Sequence, residues 1–442
     1  HRDPQTMLPR FSASEAKAPD KFWKLGRWKI PRGSGKVENL RQGTAFWELL
    51  PAAGVDATIF KVPANFPPVD CEVRSLSGMG TPDITGSYGI STLITTDPPV
   101  ERDLAGGRVE SVYLQDGRFT ATLAGPRNTW RLGDPEVLAA VDGVVDTRSR
   151  AVWLRAGSHE VVLREGEWSG WEPVEFPMVP LLKSVRGICR YYLISTTPHL
   201  KLYVTPVQLD PMHPEMPIST PGDYSRDLAE ETGRYYTQGL PDDTSALENG
   251  FFGDADFVKQ GRLVMDEHLA QLRAELDRFA GVERGLLFFY FNSPDQTCHV
   301  MWRNMDAASP THAHADPAHA GRIRDVYRDL DRALGVTLDR AGDDALAHLA
   351  QVARESMRPQ DTLARFGGEE FVVLMPDTAL EDGVRAMTRL QRALTRRFFM
   401  TGSAKLVITF SAGVTELGRD ESPMAAIQRA DRGMYQAKRA GK

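Results

Sequence analysis

A chain of 442 residues, 41% hydrophobic and 25% charged, is long enough for two or three globular domains and ordinary in composition for a soluble protein. Its net charge of −6 divides into +2 for residues 341–442 (15 Lys and Arg against 13 Asp and Glu) and −8 for the rest, so neither part has the basic surplus of a nucleic-acid binder. Three scattered cysteines, Cys71, Cys189 and Cys298, exclude a disulfide framework or a CxxC metal knuckle, and no apolar run approaches the ~20 residues of a membrane span. The chain opens on "HRDPQTMLPRF" with neither an initiator Met nor a charged-then-apolar leader, which leaves a lost leader or upstream segment open.

In chain order, the first predicted elements are a helix over Ala45–Leu50 and a buried strand over Ala57–Val62. "VESVYLQDGRFTATLAG" reads as two strands about an Asp-Gly turn. "AVWLRAGSHEVVLREG" reads as a second hairpin, and "YYLIS" and "LKLYVTP" as further strands. From Phe257 to Phe279 the apolar residues Met265, Leu269, Leu272, Leu276 and Phe279 step by fours and threes, the mark of an amphipathic helix. "GLLFFYF" (285–291) follows as a continuous apolar run, expected to be a fully buried parallel strand. This order implies an α/β core with a β-rich insertion before it. "THAHADPAH" (311–319), with its three histidines, reads as a solvated loop before the helix "RIRDVYRDLDRALG".

Beyond Gly342 we expect a helix over 343–357 with Leu346, Leu349, Ala353 and Met357 on one side, then a hairpin over "RPQDTLARFGGEEFVVLMP" (358–376). Thr378 and Glu381 have the spacing of a capping box for a helix with Val384, Met387 and Leu394 inward. "KLVITFSAGVTEL" reads as a strand. Ser422-Pro423 opens a last helix with Ile427, Ala430, Met434 and Ala437 inward.

The hairpin tip carries the chemistry. Gly367 and Gly368 permit positive φ and a close approach of ligand to backbone, and Glu369 and Glu370 beside them can hold a hard cation through oxygen. A cation bridging phosphates beside exposed N–H groups is a nucleotide site. Composition alone leaves open an ordinary acidic turn. Upstream, Asp295 and His299 in "YFNSPDQTCHVMW" share a face if a helix starts there, and Asp plus His is half of a zinc site. An N-capping Asp with an unrelated His is the alternative.

Four pieces, "AGDDALAHLAQ", "RPQDTLARFGGEEF", "VITFSAGV" and "ADRGMYQAKRAGK", occur in the order and spacing of the GGDEF family, the diguanylate cyclases, so residues 341–442 resemble the C-terminal part of that α/β domain. The resemblance implies a cytoplasmic module that takes GTP with Mg²⁺ or Mn²⁺ and makes cyclic di-GMP. Gly367 and Gly368 would line the GTP site, Glu369 would bind metal, Glu370 would contact the nucleotide, and Lys438 would meet phosphate. Lys442 stands where the family usually has Arg. Arg358 and Asp361 match the family's RxxD inhibitory site for cyclic di-GMP. The family also has an Asp-x-Asp strand before "AGD"; residues 325–340 here read "DVYRDLDRALGVTLDR". Without its second carboxylate, no cyclase turnover is expected.

Residues 1–340 resemble, through "LSGMGTPDITGSYG", "LYVTPVQLDP", "YTQGLPDDTSALENG" and "FFYFNSPDQTCHVMW", the type I phosphodiesterase/nucleotide pyrophosphatase branch of the alkaline phosphatase superfamily. That resemblance implies a hydrolase of phosphodiesters using two metals on six ligands. Asp295 and His299 map to two of these, with Zn²⁺ as their metal. The nucleophile would precede residue 1. The Ser-Asp-His-Gly motif would fall near residue 345, where the chain reads "ALAHLAQ". We therefore expect two incomplete α/β domains, 1–340 and 341–442. Three roles follow: an enzyme, a non-catalytic cyclic di-GMP sensor, or an inactive junction product of two partial genes. Open sheet edges in both parts favour aggregation or a homodimer.

Overall fold

The computed structural model describes residues 14–17, 19, 21–33, 35–99, 104, 106–180, 182–280, 282, 284–367, 370–397, 399–401 and 404–439; at 338–344, 367, 400, 401, 404–406, 438 and 439 the backbone alone is described. Seven α-helices lie among these residues: α1 (Tyr224–Thr232), α2 (Thr244–Glu248), α3 (Asp254–Arg278), α4 (Ser293–Met305), α5 (Arg322–Ser356), α6 (Leu380–Arg396) and α7 (Pro423–Arg439). The chain forms two compact units, residues 1–278 with 286–333, and 279–285 with 334–442. No helix among the described residues is long and apolar enough to cross a membrane.

The first unit is a mixed α/β assembly of several sheets. One four-stranded sheet runs in the order Ser219–Thr220, Arg74–Leu76, Asp56–Phe60, Gly285–Phe289. The expected strand at Ala57–Val62 is thus found at Asp56–Phe60, and it stops where Lys61 turns to φ +54. "GLLFFYF" supplies the edge strand of that sheet and is half-buried along its length; the expectation of full burial fails because, among the described residues, one of its sides has no neighbouring strand. The β-rich part includes a four-stranded antiparallel meander over Arg118–Arg164. The Asp-Gly turn forms, with Asp116 at φ +52 and Gly117 at φ +75. Its flanking strands, however, join different sheets, because Gly107–Ser111 pairs in parallel with Ser91–Thr95 instead of folding back on its neighbour. The helix expected at Ala45–Leu50 is a single 3₁₀ turn, Phe46–Leu49, cut short by Pro51. In α3 the apolar stripe is as read: Met265, Leu269 and Leu272 are buried, with Leu276 packed beside them.

One acidic loop in this unit is held from within. Asp83 is 1% exposed. Its Oδ1 accepts from the Thr85 amide (2.8 Å), the Thr85 hydroxyl (2.6 Å) and the Ser87 amide (3.0 Å), and its Oδ2 from the Ser87 hydroxyl (2.6 Å) and the Ile90 amide (3.1 Å).

Helix α5, whose residues 322–333 are counted with the first unit and 334–356 with the second, replaces two expected features. The helix read at 343–357 is the last part of one 35-residue helix, and residues 325–340 are helical throughout. No proline stands between Pro317 and Pro359, and a helical glycine such as Gly335 costs only about 1 kcal/mol, so nothing interrupts it. The strands Thr362–Gly367 and Glu370–Leu374 form the expected hairpin. Helix α6 begins without the expected capping box: its N-cap is Ala379, and the Leu380 amide donates instead to Glu416 Oε1 at 2.7 Å. Leu390 and Leu394 are buried and Met387 packs with them, whereas Val384 is exposed, because the inward position of that turn is held by Gly383. Of "KLVITFSAGVTEL" (405–417), only Lys405 and Leu406 are strand, within Ala404–Leu406 paired with Phe399–Thr401; residues 407–417 have no ladder partner among the described residues and run as an irregular segment. That segment is nonetheless anchored. Gln391 Nε2 donates to the Phe410 carbonyl (2.9 Å), and Arg429 of α7 to the Glu416 carbonyl (2.7 Å). Ser422 caps α7 through the Ala425 amide (3.2 Å), and Ile427, Ala430, Met434 and Ala437 are half-buried, as read.

Candidate functional site

Arg358 and Asp361 lie in the turn between α5 and strand Thr362–Gly367 and are locked together. The Arg358 amide donates to Asp361 Oδ2 (3.0 Å), its Nε to the same oxygen (3.4 Å) and its Nη2 to Oδ1 (3.1 Å). Nη2 also donates to the Thr378 hydroxyl and, at 3.4 Å, to the Pro376 carbonyl. The Asp361 side chain is 5% exposed and that of Arg358 45%. Burial pushes the Asp361 carboxyl up, but the Arg358 hydrogen bonds and the charges of Arg358 and Arg389 outweigh it and hold the group below its usual range.

The pair borders a cavity of about 310 Å³ lined also by Met375, Asp377, Thr378 and, from α6, Asp382, Met387 and Arg389. Arg389 was not singled out in the sequence. It lies on the polar side of an amphipathic helix, one residue before buried Leu390, and only the fold brings it to Arg358. Two guanidiniums can face phosphate oxygens, and a carboxylate can accept from a purine edge. Of the three carboxylates on the wall, Asp361 is answered by Arg358 and Asp382 by Arg385.

The hairpin closes with Gly367 opposite Glu370, after a register shift between Arg365 and Gly367. Glu370 is exposed at the start of its strand. Gly368, Glu369 and Lys442 lie outside the described residues, and Lys438 is placed by its backbone in the last turn of α7. The strand that would set further carboxylates against this tip is replaced by the helical course of residues 325–340. Among the described residues no three His, Cys, Asp or Glu side chains converge on a cation position.

Helix α7 is seated by two glycines that sequence reasoning passed over. A Cβ added at Gly413 would fall 1.8 Å from the Ala430 carbonyl oxygen and 2.6 Å from the Met434 amide nitrogen, and one at Gly433 would lie 3.5 Å from Gly413. The irregular segment thus packs backbone to backbone on the helix that carries Lys438.

In the first unit α4 does place Asp295 and His299 together, with Oδ1 to Nε2 at 3.6 Å, on an exposed face. Zn²⁺ is not supported there, since no third ligand joins them among the described residues. His312, His314 and His319 lie in two 3₁₀ turns, and His312 Nδ1 is spent on the Arg303 carbonyl (2.7 Å). A buried cluster went unnoticed in the sequence. Lys61 Nζ lies 3.0 Å from His268 Nε2 and from the Tyr236 carbonyl, and Asp242 Oδ2 accepts from Ser293 (2.8 Å). Burial pulls Lys61 down to about 8 against the charges of Glu267 and Asp242. Burial also pushes Asp242 up to about 6 against Ser293, Arg322 and Lys61.

A folded-state value above the ordinary carboxylate value means that the native state holds this proton more tightly. The group therefore adds stability as pH falls from about 7 to about 4 and nothing further below that. Relative to Asp242→Asn, the wild-type chain is expected to gain about 3 kcal/mol over that window, for a shift of about two units. Urea titrations at pH 7 and pH 4 check it; a constant difference between the two proteins refutes it.

The family model "Diguanylate cyclase, GGDEF domain" matches residues 325–442. Relatives include Diguanylate cyclase DgcP of Pseudomonas aeruginosa, 39% identical over 143 residues (32% of this chain, 20% of that one). Response regulator PleD of Caulobacter vibrioides is 40% identical over 131 residues (29% and 28%). Diguanylate cyclase A of Treponema denticola is 29% identical over 119 residues (27% and 31%). The chain spans between a fifth and a third of the length of these relatives. The match begins inside α5, so the helical residues from 325 fall within it. The resemblance read in the C-terminal motifs is thereby upheld: residues 325–442 carry a GGDEF domain.

Proposed function

We propose that the GGDEF part of this chain is a cyclic di-GMP-binding module without cyclase turnover. The observation that carries the reading is the cavity whose wall includes Arg358, Asp361 and Arg389. Its arginines match the phosphates of a cyclic dinucleotide and Asp361 its guanine edge. Diguanylate cyclases among the relatives are consistent with that ligand class. The helical course of residues 325–340 argues against turnover, because the family's second metal carboxylate is expected on a strand at that place in the sequence.

The test is a thermal melt of the full chain with and without cyclic di-GMP. A ligand at 100 times its Kd stabilises by about 2.7 kcal/mol, and Arg358→Ala is expected to remove that gain. Equal shifts for both proteins, or none for either, reject the reading. Incubation with GTP and Mg²⁺ or Mn²⁺ is expected to yield no cyclic di-GMP; steady formation that stops in Glu369→Gln would restore the cyclase.

A second reading concerns the first unit: a phosphodiesterase-type scaffold without a closed metal site. It is supported by the strand Gly285–Phe289 leading into α4, with Asp295 and His299 on one face. One equivalent of zinc is expected to dialyse away, and bis-p-nitrophenyl phosphate to stay intact. Zinc retained by the wild type and lost in His299→Ala would mean that further ligands complete the site.

A further inference from the structure

We infer that Thr378 competes with the cavity's ligand for a single N–H of Arg358, so that a phosphodiester must unlatch the start of α6 in order to bind. The inference rests on the reading of the cavity given above and deepens it. Nη2 of Arg358 has two hydrogens. One serves Asp361 Oδ1 at 3.1 Å, and the other is shared by the Thr378 hydroxyl and, at 3.4 Å, the Pro376 carbonyl. Nε is turned to Asp361 Oδ2. The side of the guanidinium fork is therefore occupied, and a phosphate approaches end-on, taking one hydrogen from Nη1 and one from Nη2. The Asp361 bond is the harder to break, since that carboxylate is 5% exposed and also accepts the Arg358 amide. The hydrogen that can be released is the one on Thr378. The Thr378 hydroxyl keeps a bond of its own, donating to Pro376 at 2.9 Å, so its release leaves no buried orphan.

Release of Thr378 reaches further than the cavity. Two residues on, the Leu380 amide is held by Glu416 Oε1 at 2.7 Å, and the Glu416 carbonyl is held by Arg429 of α7 at 2.7 Å. Thr378 is thus a positioning residue: it ties the guanidinium to the chain one residue before the N-cap of α6, and the Leu380–Glu416 bond continues from there to the segment on which α7 sits.

The experiment measures cyclic di-GMP binding by calorimetry and amide exchange at residues 380–383, on the full chain. Thr378→Val is expected to bind about fivefold tighter, the worth of one hydrogen bond no longer displaced, and Thr378→Ser to match the wild type. In the wild type the ligand quickens exchange at 380–383. In Thr378→Val exchange is already fast and the ligand leaves it unchanged. Equal Kd values for wild type and Thr378→Val, or wild-type exchange that does not quicken, overturn the latch while the cavity reading stands. Absence of binding by both proteins overturns the cavity reading and the latch together.

Discussion

Gly413→Ala is expected to cost the second unit about 4 kcal/mol, near the upper end for a single substitution. The added methyl would stand 1.8 Å from the Ala430 carbonyl oxygen and 2.6 Å from the Met434 amide nitrogen. Both are main-chain atoms of α7, engaged in its ladder, and neither can rotate away as a side chain would. The segment must lift from the helix. With it goes Glu416, which holds the first amide of α6 and accepts from Arg429. All eight tryptophans lie at or before Trp302, in the first unit, so their fluorescence is blind to this change. The expected result is faster amide exchange over 423–439 with an unmoved tryptophan transition in urea. Wild-type exchange rates in α7 would show that the close approach is not tight.

Asp83→Ala is expected to do the reverse, lowering the tryptophan-detected midpoint by the equivalent of about 4 kcal/mol while leaving α7 alone. Five donors converge on this carboxylate, three from the backbone and two from hydroxyls, and among the described residues its charge is met by their dipoles with no cation hydrogen-bonded to it. Truncation removes the acceptor of the Thr85, Ser87 and Ile90 amides and leaves a gap where the buried carboxylate stood. Asp83→Asn separates charge from shape. Its oxygen can still serve the Oδ1 donors, and the Ser87 hydroxyl can turn to accept, but the Ile90 amide then faces another N–H. About half the loss is expected. If alanine and asparagine cost the same, the three bonds to Oδ1 contribute nothing and the whole loss lies with Oδ2 and the charge.

The parts of the fold legible in the sequence were those fixed by local chemistry. The stripe Met265–Leu269–Leu272, the Asp116-Gly117 turn and Ser422-Pro423 at the head of α7 each carry their cause within a few residues. The errors share another origin. Thr378 and Glu381 have capping-box spacing, but the Thr378 hydroxyl is drawn to Arg358, twenty residues back in the chain, and a distant carboxylate takes the cap. "KLVITFSAGVTEL" has strand propensity from end to end, yet a strand needs a ladder, and past Leu406 none is offered among the described residues. Of the candidate site, the Arg358–Asp361 pair was readable as a motif. Arg389 was not, because nothing local sets it apart from the other arginines of α6. The glycines at 413 and 433 were equally mute, since their role exists only once the helix lies against the segment.

The cap on α6 sets the order in which this unit is made. Glu416 is 36 residues downstream of the amide it holds. A ribosome adding about 5–20 residues per second synthesises α6 roughly 2–7 seconds before its first turn can be closed. Over that interval the nascent helix frays at its start, and Arg358 and Thr378 have no fixed turn on which to meet. Closure of the cavity is therefore a late step of biosynthesis. Slower codons between 397 and 416 would lengthen the exposed interval while leaving the finished protein the same.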